Sequence, residues 1–98
     1  MKAEYVITEE AYTSLDKILK HITQDNPLAS VEFETNILDA YEFLLANPYA
    51  GRTREEFTDK PLRFWVAHKN YIIVYSIEEP NIVIHDILHV ARDIPGLL

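Results

Sequence analysis

The chain has 98 residues, enough for one domain with a single core but too few for two. It contains no cysteine, which excludes disulfides, thiolate metal sites and cysteine nucleophiles. The formal net charge is −7, and residues 1–50 hold three lysines against nine carboxylates, so a broad nucleic-acid-binding surface is not expected. We therefore expect residues 1–98 to form one acidic globular domain.

The N-terminal segment predicts a short strand followed by a helix. Residues 4–7 are apolar enough for a strand, and Thr8 suits a helix N-cap. Apolar residues then recur on one face of an α-helix: Ala11, Leu15, Ile18, Leu19 and Ile22. The first residues fit neither a signal peptide nor a membrane span, so the expectation is a cytoplasmic protein without a membrane partner.

A second helix is predicted from Asn26-Pro27 to about Ala46, because asparagine caps a helix and proline is tolerated at its first position. Its apolar residues form a broad band that we expect to contact both the first helix and a sheet. The band consists of Val31, Phe33, Ile37, Leu38, Ala40, Tyr41, Leu44 and Leu45. Asn47-Pro48 ends this helix.

Residues 49–61 are polar and rich in turn formers, which predicts a connecting loop. Three strands are predicted after it, at residues 62–66, 71–77 and 82–90, because these segments are rich in aromatic and β-branched side chains. The order is β-α-α-β-β-β. We therefore expect an α+β fold in which a helical hairpin packs on a mainly antiparallel four-stranded sheet.

Two histidines, His85 and His89, have the H-x-x-x-H spacing that places zinc ligands on one face of a helix. The surrounding sequence, IVIHDIL, is typical of a strand, on which four residues span about 13 Å. That distance is too long for one shared ion, so neither a metal nor another cofactor is expected. His85 is interpreted as a surface or cross-strand residue.

The fragment ILHVARD raises two interpretations for His89, Arg92 and Asp93. A histidine tuned by a carboxylate can transfer protons, and a nearby arginine can hold a phosphate. Alternatively, Arg92 and Asp93 pair with each other or with the backbone, and His89 fixes the chain terminus; this structural interpretation is favoured. The predicted strand would place His89 on one face with three other residues: Val83, His85 and Ile87.

The remaining arginines lie in and after the predicted loop. Arg52 and Arg54 could form an anion site, or the two glutamates that follow could neutralise them; the sequence leaves both open. Arg63 would share a surface with Trp65 on an edge strand. An aromatic ring beside a guanidinium can stack on bases or anchor a protein partner.

The ordered set of motifs resembles the RelE/ParE superfamily of bacterial toxins from type II toxin–antitoxin systems. The resemblance spans essentially the whole chain: LDKI at 15–18, NPLA at 26–29, NPYAGR at 47–52, YIIVY at 71–75 and ILHVARD at 87–93. The last motif, followed by IPGLL, is most similar to the ParE branch. For that branch the resemblance implies a toxin that binds DNA gyrase and is neutralised by a ParD-like, DNA-binding antitoxin.

The RelE branch implies instead an endoribonuclease that cuts mRNA on the ribosome. Arg63 and Arg92 match basic positions of that pattern, and His89 or His68 could assist them. Trp65, Ile72 and Leu98 depart from it, standing where a lysine, an arginine and a tyrosine are expected. A nuclease that loses preorganised catalytic groups loses on the order of 2.7–4 kcal/mol of transition-state stabilisation for each. The endoribonuclease is therefore the alternative, with a degenerate toxin that only binds antitoxin as a further one.

Exposed aromatic and charged residues would form the contacts with target or antitoxin on the ParE interpretation. Tyr12 is included as exposed apolar surface. The predicted contact residues are Arg52, Arg54, Arg63, Trp65, Tyr71, Tyr75, His89, Arg92, Asp93, Leu97 and Leu98. The segment from Arg92 to Leu98 is the candidate for the toxic contact.

Overall fold

The structure is a computed structural model that describes residues 2–93, and it contains two helices and five strands in an α+β arrangement. The elements are β1 (Tyr5–Ile7), α1 (Glu9–Asp25), α2 (Pro27–Ala46), β2 (Arg52–Thr53), β3 (Arg63–His68), β4 (Tyr71–Glu78) and β5 (Asn81–His89). The predicted α+β fold class, with a helical hairpin packed on a sheet, is confirmed. None of the helices within residues 2–93 is long and apolar enough to cross a membrane.

The helices begin at the residues that the sequence indicates. The Thr8 side chain accepts a hydrogen bond from the Ala11 amide at 3.2 Å, and the Asn26 side chain accepts one from the Ala29 amide at 3.1 Å. Each cap satisfies an amide that the first turn of a helix leaves free. Thr8 also donates to the His85 carbonyl at 3.0 Å, which fixes the start of α1 against β5.

The sheet has the strand order β1-β5-β4-β3-β2, in which β1 is parallel to β5 and the other neighbours are antiparallel. The predicted count of four strands is corrected to five. Arg52–Thr53, which lies in the predicted loop, pairs with β3 at the sheet edge. A two-residue strand has no measurable alternation, so its pairing is set by the neighbouring strand rather than by a pattern of its own.

The main core lies between the helices and one face of the sheet. It contains Ala11, Ile18, Phe33, Ile37, Ala40, Tyr41, Leu44, Ile73, Tyr75, Ile82, Ile84 and Ile87. A smaller cluster on the opposite face contains Phe64, Ile72 and Val74, with Phe57, Leu62 and Leu88 packed against it. The predicted apolar band of α2 is only partly buried, because Val31 and Leu38 remain 61% and 41% exposed. The predicted contacts of α2 with both α1 and the sheet are nevertheless present.

A β-bulge changes which β5 side chains face the helices. The register shifts between Val74 and Tyr75, and His85 has no partner in the ladder between β4 and β5. Because a bulge interrupts the alternation of side chains, Ile84 and Ile87 both reach the main core although they are three residues apart. The expectation that every second residue from 83 to 89 shares one face is therefore wrong.

Candidate functional site

The C-terminal turn after β5 is formed by His89, Arg92 and Asp93. The His89 amide donates to Asp93 Oδ2 at 2.7 Å, and the Asp93 amide donates to the His89 carbonyl at 2.7 Å. The Arg92 amide donates to His89 Nδ1 at 3.1 Å, and Arg92 Nε donates to Asp93 Oδ1 at 3.2 Å. The three residues are therefore brought together, and their mutual bonds are those that the structural interpretation requires. Because Nδ1 accepts, a neutral His89 carries its proton on Nε2.

The His89 ring packs edge-on against Tyr71, with 5.1 Å between ring centroids, and Tyr71 packs edge-on against Phe33 at 4.9 Å. Edge-to-face pairs at these separations are favourable because the positive ring edge meets the negative ring face. The predicted contact residues Tyr71 and His89 are thus partly buried and held against α2. Both side chains keep part of their surface exposed.

The turn borders a cleft of about 610 Å³ between α1 and the C-terminal part of β5. Its lining includes Lys17 and His21 from α1, Asp86 from β5 and Arg92 from the C-terminal turn. Asp86 is already engaged, since Oδ1 accepts from the Ser14 hydroxyl at 2.5 Å. Arg92 is 64% exposed at the rim. This cleft and the turn are the candidate functional site, because they place a guanidinium, an imidazole and an aromatic ring at one surface.

The pKa of the Asp93 carboxylate determines how the C-terminal turn responds to acid. Burial acts to raise the pKa of Asp93, but the His89 amide and the Arg92 guanidinium outweigh it and lower the pKa below its ordinary value of 3.8. A lowered pKa in the folded state stabilises the turn above pH 3.8, and the contribution is lost as the pH falls through the folded pKa. We expect the exchange protection of the His89 amide, measured by NMR, to persist to below pH 3.8.

The Asp93→Asn variant supplies the control, because it keeps the shape of the side chain and removes its charge. We expect the protection of the His89 amide to be lower in this variant at neutral pH and to show no change with pH in that window. Protection as high as in the unaltered chain would show that the carboxylate does not hold the turn.

The other histidine of the H-x-x-x-H spacing is used elsewhere. His85 lies on β5 as expected, and its Nε2 is 2.8 Å from the Ser76 hydroxyl on β4. The prediction of a strand, on which the dismissal of a metal site depended, is confirmed. Within residues 2–93 no group of three or more histidine or acidic side chains is placed to hold a metal ion.

Arg63 and Tyr75 hold the chain segment that follows α2. Arg63 Nη1 donates to the Gly51 carbonyl at 2.6 Å, and its guanidinium lies over the Tyr49 ring at 5.1 Å. The Tyr75 hydroxyl donates to the Pro48 carbonyl at 2.7 Å and accepts from the Gly51 amide at 2.8 Å. Tyr75 is fully buried, so its predicted role as a contact residue is corrected: the ring and hydroxyl are internal supports.

The remaining predicted contact residues differ in their surroundings. Arg52 is exposed on edge strand β2. Arg54 pairs with Glu56 at 3.2 Å and lies 4.7 Å from the centroid of the Phe57 ring. Of the two interpretations of Arg54, the structure therefore supports neutralisation by a glutamate of the same loop. Trp65 stacks on Phe43 of α2 with 5.2 Å between ring centroids, and so joins sheet to helix. The predicted contacts at residues 97 and 98, both leucines, lie outside the described residues.

The candidate nuclease residues are divided between two parts of the sheet. Arg63 is paired with Tyr75 across β3 and β4, whereas His89 is paired with Tyr71 across β4 and β5. Tyr71 and Tyr75 are four positions apart on β4, a distance of about 13 Å along the strand. Arg63 therefore does not share a site with His89 and Arg92.

A second feature is a groove between the two helices and edge strand β1. It has a volume of about 420 Å³. We call it the hairpin groove; its lining is Tyr5, Ile7, Tyr12, Leu15, Asp16, Leu19, Glu34 and Leu38. One signal could have revealed it: Glu34 and Glu42 lie four residues either side of Leu38, and carboxylates on that face disagree with full burial.

A model of the family described as the ParE toxin of the type II toxin–antitoxin system parDE matches residues 5–94. The chain belongs to the ParE toxin family. It is therefore a toxin-type component of a toxin–antitoxin system, and the predicted resemblance is confirmed. The ParE membership also implies an antitoxin partner.

Two solved structures are similar to this ParE-family chain, and the first of them shows the same fold. The chromosomal ParDE toxin–antitoxin system from P. aeruginosa matches with a TM-score of 0.73 and 22% sequence identity, covering 92% of this chain and 96% of that one. The conserved hypothetical protein HP0894 from Helicobacter pylori matches with a TM-score of 0.49 and 14% identity, covering 90% and 94% of the two chains. A search of the curated proteins finds no match.

Proposed function

We propose that this ParE-family chain is a bacterial, cytoplasmic toxin that acts by binding a protein, DNA gyrase, and that a cognate antitoxin neutralises it. The observation that carries the choice of binding over RNA cleavage is the separation of Arg63 from His89 and Arg92. Cleavage by attack of a 2′-hydroxyl requires a base, an acid and cations around one phosphate. Groups about 13 Å apart along a strand do not surround one phosphate.

The charge of the chain supports a protein target as well. A net charge of −7 repels nucleic acid except where a local basic patch reverses the field. Arg92 pairs with Asp93 at the C-terminal turn, and Arg54 pairs with Glu56 in the loop. Two of the four arginines are thus partly neutralised by their own neighbours.

The proposed toxic contact is the C-terminal turn together with the residues that follow it. Arg92 is at the rim of the cleft, and the His89 and Tyr71 rings lie beside it. A guanidinium beside aromatic rings is the composition found where a few residues dominate a protein–protein interface. Leu97 and Leu98 are proposed as further contacts with the target. Arg52 and Arg54 are proposed as contacts at the opposite sheet edge.

The antitoxin is proposed to be a ParD-like DNA-binding protein. Its toxin-binding part would lay a helix in the hairpin groove and a strand-like segment along the sheet. Both β1 and β2 are edge strands with one unpaired side, which is where an added strand can form hydrogen bonds. The exposed Tyr12 at the groove gives such a partner an aromatic contact.

The function is tested by inducing the chain in bacterial cells without antitoxin and measuring DNA supercoiling and transcript integrity together. We expect growth to stop, supercoiling by gyrase to fall and transcripts to remain intact. New mRNA ends at ribosomal A sites would replace this proposal with the endoribonuclease. Undisturbed growth would show a degenerate toxin that retains only antitoxin binding.

Deleting residues 94–98 tests the proposed toxic contact, because the deletion leaves the hydrogen bonds among His89, Arg92 and Asp93 in place. We expect toxicity on induction to be abolished while the truncated chain still binds antitoxin, as measured by co-purification. Binding by the truncated chain is the control for folding. Toxicity at the level of the full chain would refute the assignment.

A further inference from the structure

The hairpin groove is bounded on the α2 side by a stripe of alternating apolar and acidic residues. Val31, Glu34, Leu38, Glu42 and Leu45 recur every three or four residues, so they lie on one face of α2. Glu34 and Leu38 line the hairpin groove, while Glu42 and Leu45 line an adjoining hollow of about 330 Å³. The two hollows share Tyr5, so the surface is continuous along α2.

The apolar part of this surface is exposed. Tyr12 is 62% exposed, and Val31 and Leu38 retain much of their apolar area in contact with solvent. Exposed apolar residues that form a contiguous, concave patch bordered by polar groups mark interaction sites more often than scattered ones do. The stripe spans 15 residues, or about 21 Å of helix, which fits a partner helix of about four turns.

The polar part of the surface is mainly acidic. Among the described residues that line the two hollows, Glu4, Asp16, Glu34 and Glu42 are acidic and Lys2 is basic. Helix α2 contains four carboxylates, on Glu32, Glu34, Asp39 and Glu42, and no lysine, arginine or histidine. Within residues 2–93 neither Glu34 nor Glu42 takes part in an ion pair. On the α1 side Asp16 is paired with Lys20 at 3.0 Å, but both side chains are largely exposed and such a pair contributes little.

We propose that the occupant of the hairpin groove is a cationic amphipathic helix of the antitoxin, whose apolar residues contact Tyr12 and Leu38 and whose flanking arginines or lysines contact Glu34 and Glu42. This inference rests on the proposed function and names the chemistry of the partner. A neutral or acidic helix would leave the two carboxylates without compensation as the groove closes over them. Arginine fits best, because its guanidinium can bind a carboxylate through two parallel hydrogen bonds.

The test uses the full chain and the antitoxin encoded beside it, with the dissociation constant measured at low and at physiological salt. The test variant is Glu34→Gln with Glu42→Gln, and the matched control is Glu32→Gln with Asp39→Asn. The control removes the same charge from the same helix at positions roughly 100–120° around the axis from Leu38. Glutamine and asparagine keep similar helix propensity, so both variants retain α2.

We expect the test variant to bind antitoxin about tenfold more weakly at low salt and to lose part of the salt dependence, with the control within about twofold of the unaltered chain. A third variant, Leu38→Ala, should weaken binding at every salt concentration, because it removes apolar contact. Weakening by Leu38→Ala without weakening by the test variant would overturn the cationic partner and leave the proposed function standing. If neither Leu38→Ala nor the test variant changes binding, the antitoxin binds outside the hairpin groove. If the chain and the antitoxin form no complex, the proposed neutralisation itself is overturned.

Discussion

Replacing Gly51 by alanine is expected to lower the free energy of unfolding by roughly 2–3 kcal/mol. Gly51 is buried, and a Cβ atom at this position would lie 2.6 Å from Tyr75 Cε1 and 2.8 Å from Cζ. Displacing the Tyr75 ring would break the hydrogen bonds of its hydroxyl with the Pro48 carbonyl and the Gly51 amide. The glycine does not have a positive φ, so the cost is steric rather than conformational.

Urea denaturation of the Gly51→Ala variant provides the measurement, and the double variant Gly51→Ala with Tyr75→Phe provides the control. Removing the hydroxyl eliminates the nearest clashing atom, so the two changes should cost less together than the sum of their separate costs. Additive costs, or a Gly51→Ala variant within about 0.5 kcal/mol of the unaltered chain, would show that the loop and Tyr75 are not in contact.

The two fully buried tyrosines, Tyr41 and Tyr75, are expected to respond in opposite directions to replacement by phenylalanine. The Tyr75 hydroxyl has two hydrogen-bond partners, whereas within residues 2–93 the Tyr41 hydroxyl has none. Burying a polar group without a hydrogen-bond partner destabilises the folded state, so removing that group stabilises it. We expect Tyr41→Phe to raise the free energy of unfolding by about 1 kcal/mol and Tyr75→Phe to lower it by roughly 1–3 kcal/mol.

Each tyrosine variant is the control for the other, since both remove one oxygen from a buried ring. Equal destabilisation by Tyr41→Phe would show that a buried water satisfies the Tyr41 hydroxyl.

The dependence of stability on alkaline pH provides a second measurement of the Tyr41 environment. Burial, followed by the nearby hydroxyls of Tyr5 and Tyr12, raises the pKa of Tyr41 well above its ordinary value of 10.0.

The sign of the alkaline effect follows from that pKa. The unfolded state ionises above pH 10.0 while folded Tyr41 stays neutral, so the stability that Tyr41 contributes is present below this pH and lost as the pH rises. The Tyr41→Phe variant should therefore lose less stability between pH 10 and 11 than the unaltered chain.

Local interactions explain why the helices could be predicted from the sequence. Thr8 and Asn26 each accept a hydrogen bond from an amide three residues ahead, and Pro27 needs no amide at its helix position. Strands β3, β4 and β5 were found with errors of one or two residues, because their β-branched and aromatic runs are continuous. The pairing of Arg92 with Asp93 could also be anticipated, since the two are adjacent.

Other features depend on residues that are distant in sequence. Arg63 reaches Gly51 and Tyr75 reaches Pro48 only because β3 and β4 lie against the segment after α2. The bulge at His85 arises from the register between β4 and β5, and no local pattern marks it. The long-range contacts changed the interpretation of two candidate site residues, because Arg63 and Tyr75 support the segment after α2.

The sequence alone determined the two helices, their ends, the order of the elements apart from β2, the strand character of residues 82–89 and the acidic first half. These properties follow from capping, periodicity and composition, which act over a few residues. Only the tertiary structure decided which apolar residues of α2 are buried, since Val31 and Leu38 have the same periodicity as core residues but no strand or helix covers them. It also decided that the arginines are divided, because the distance between two strand positions depends on register across the whole sheet.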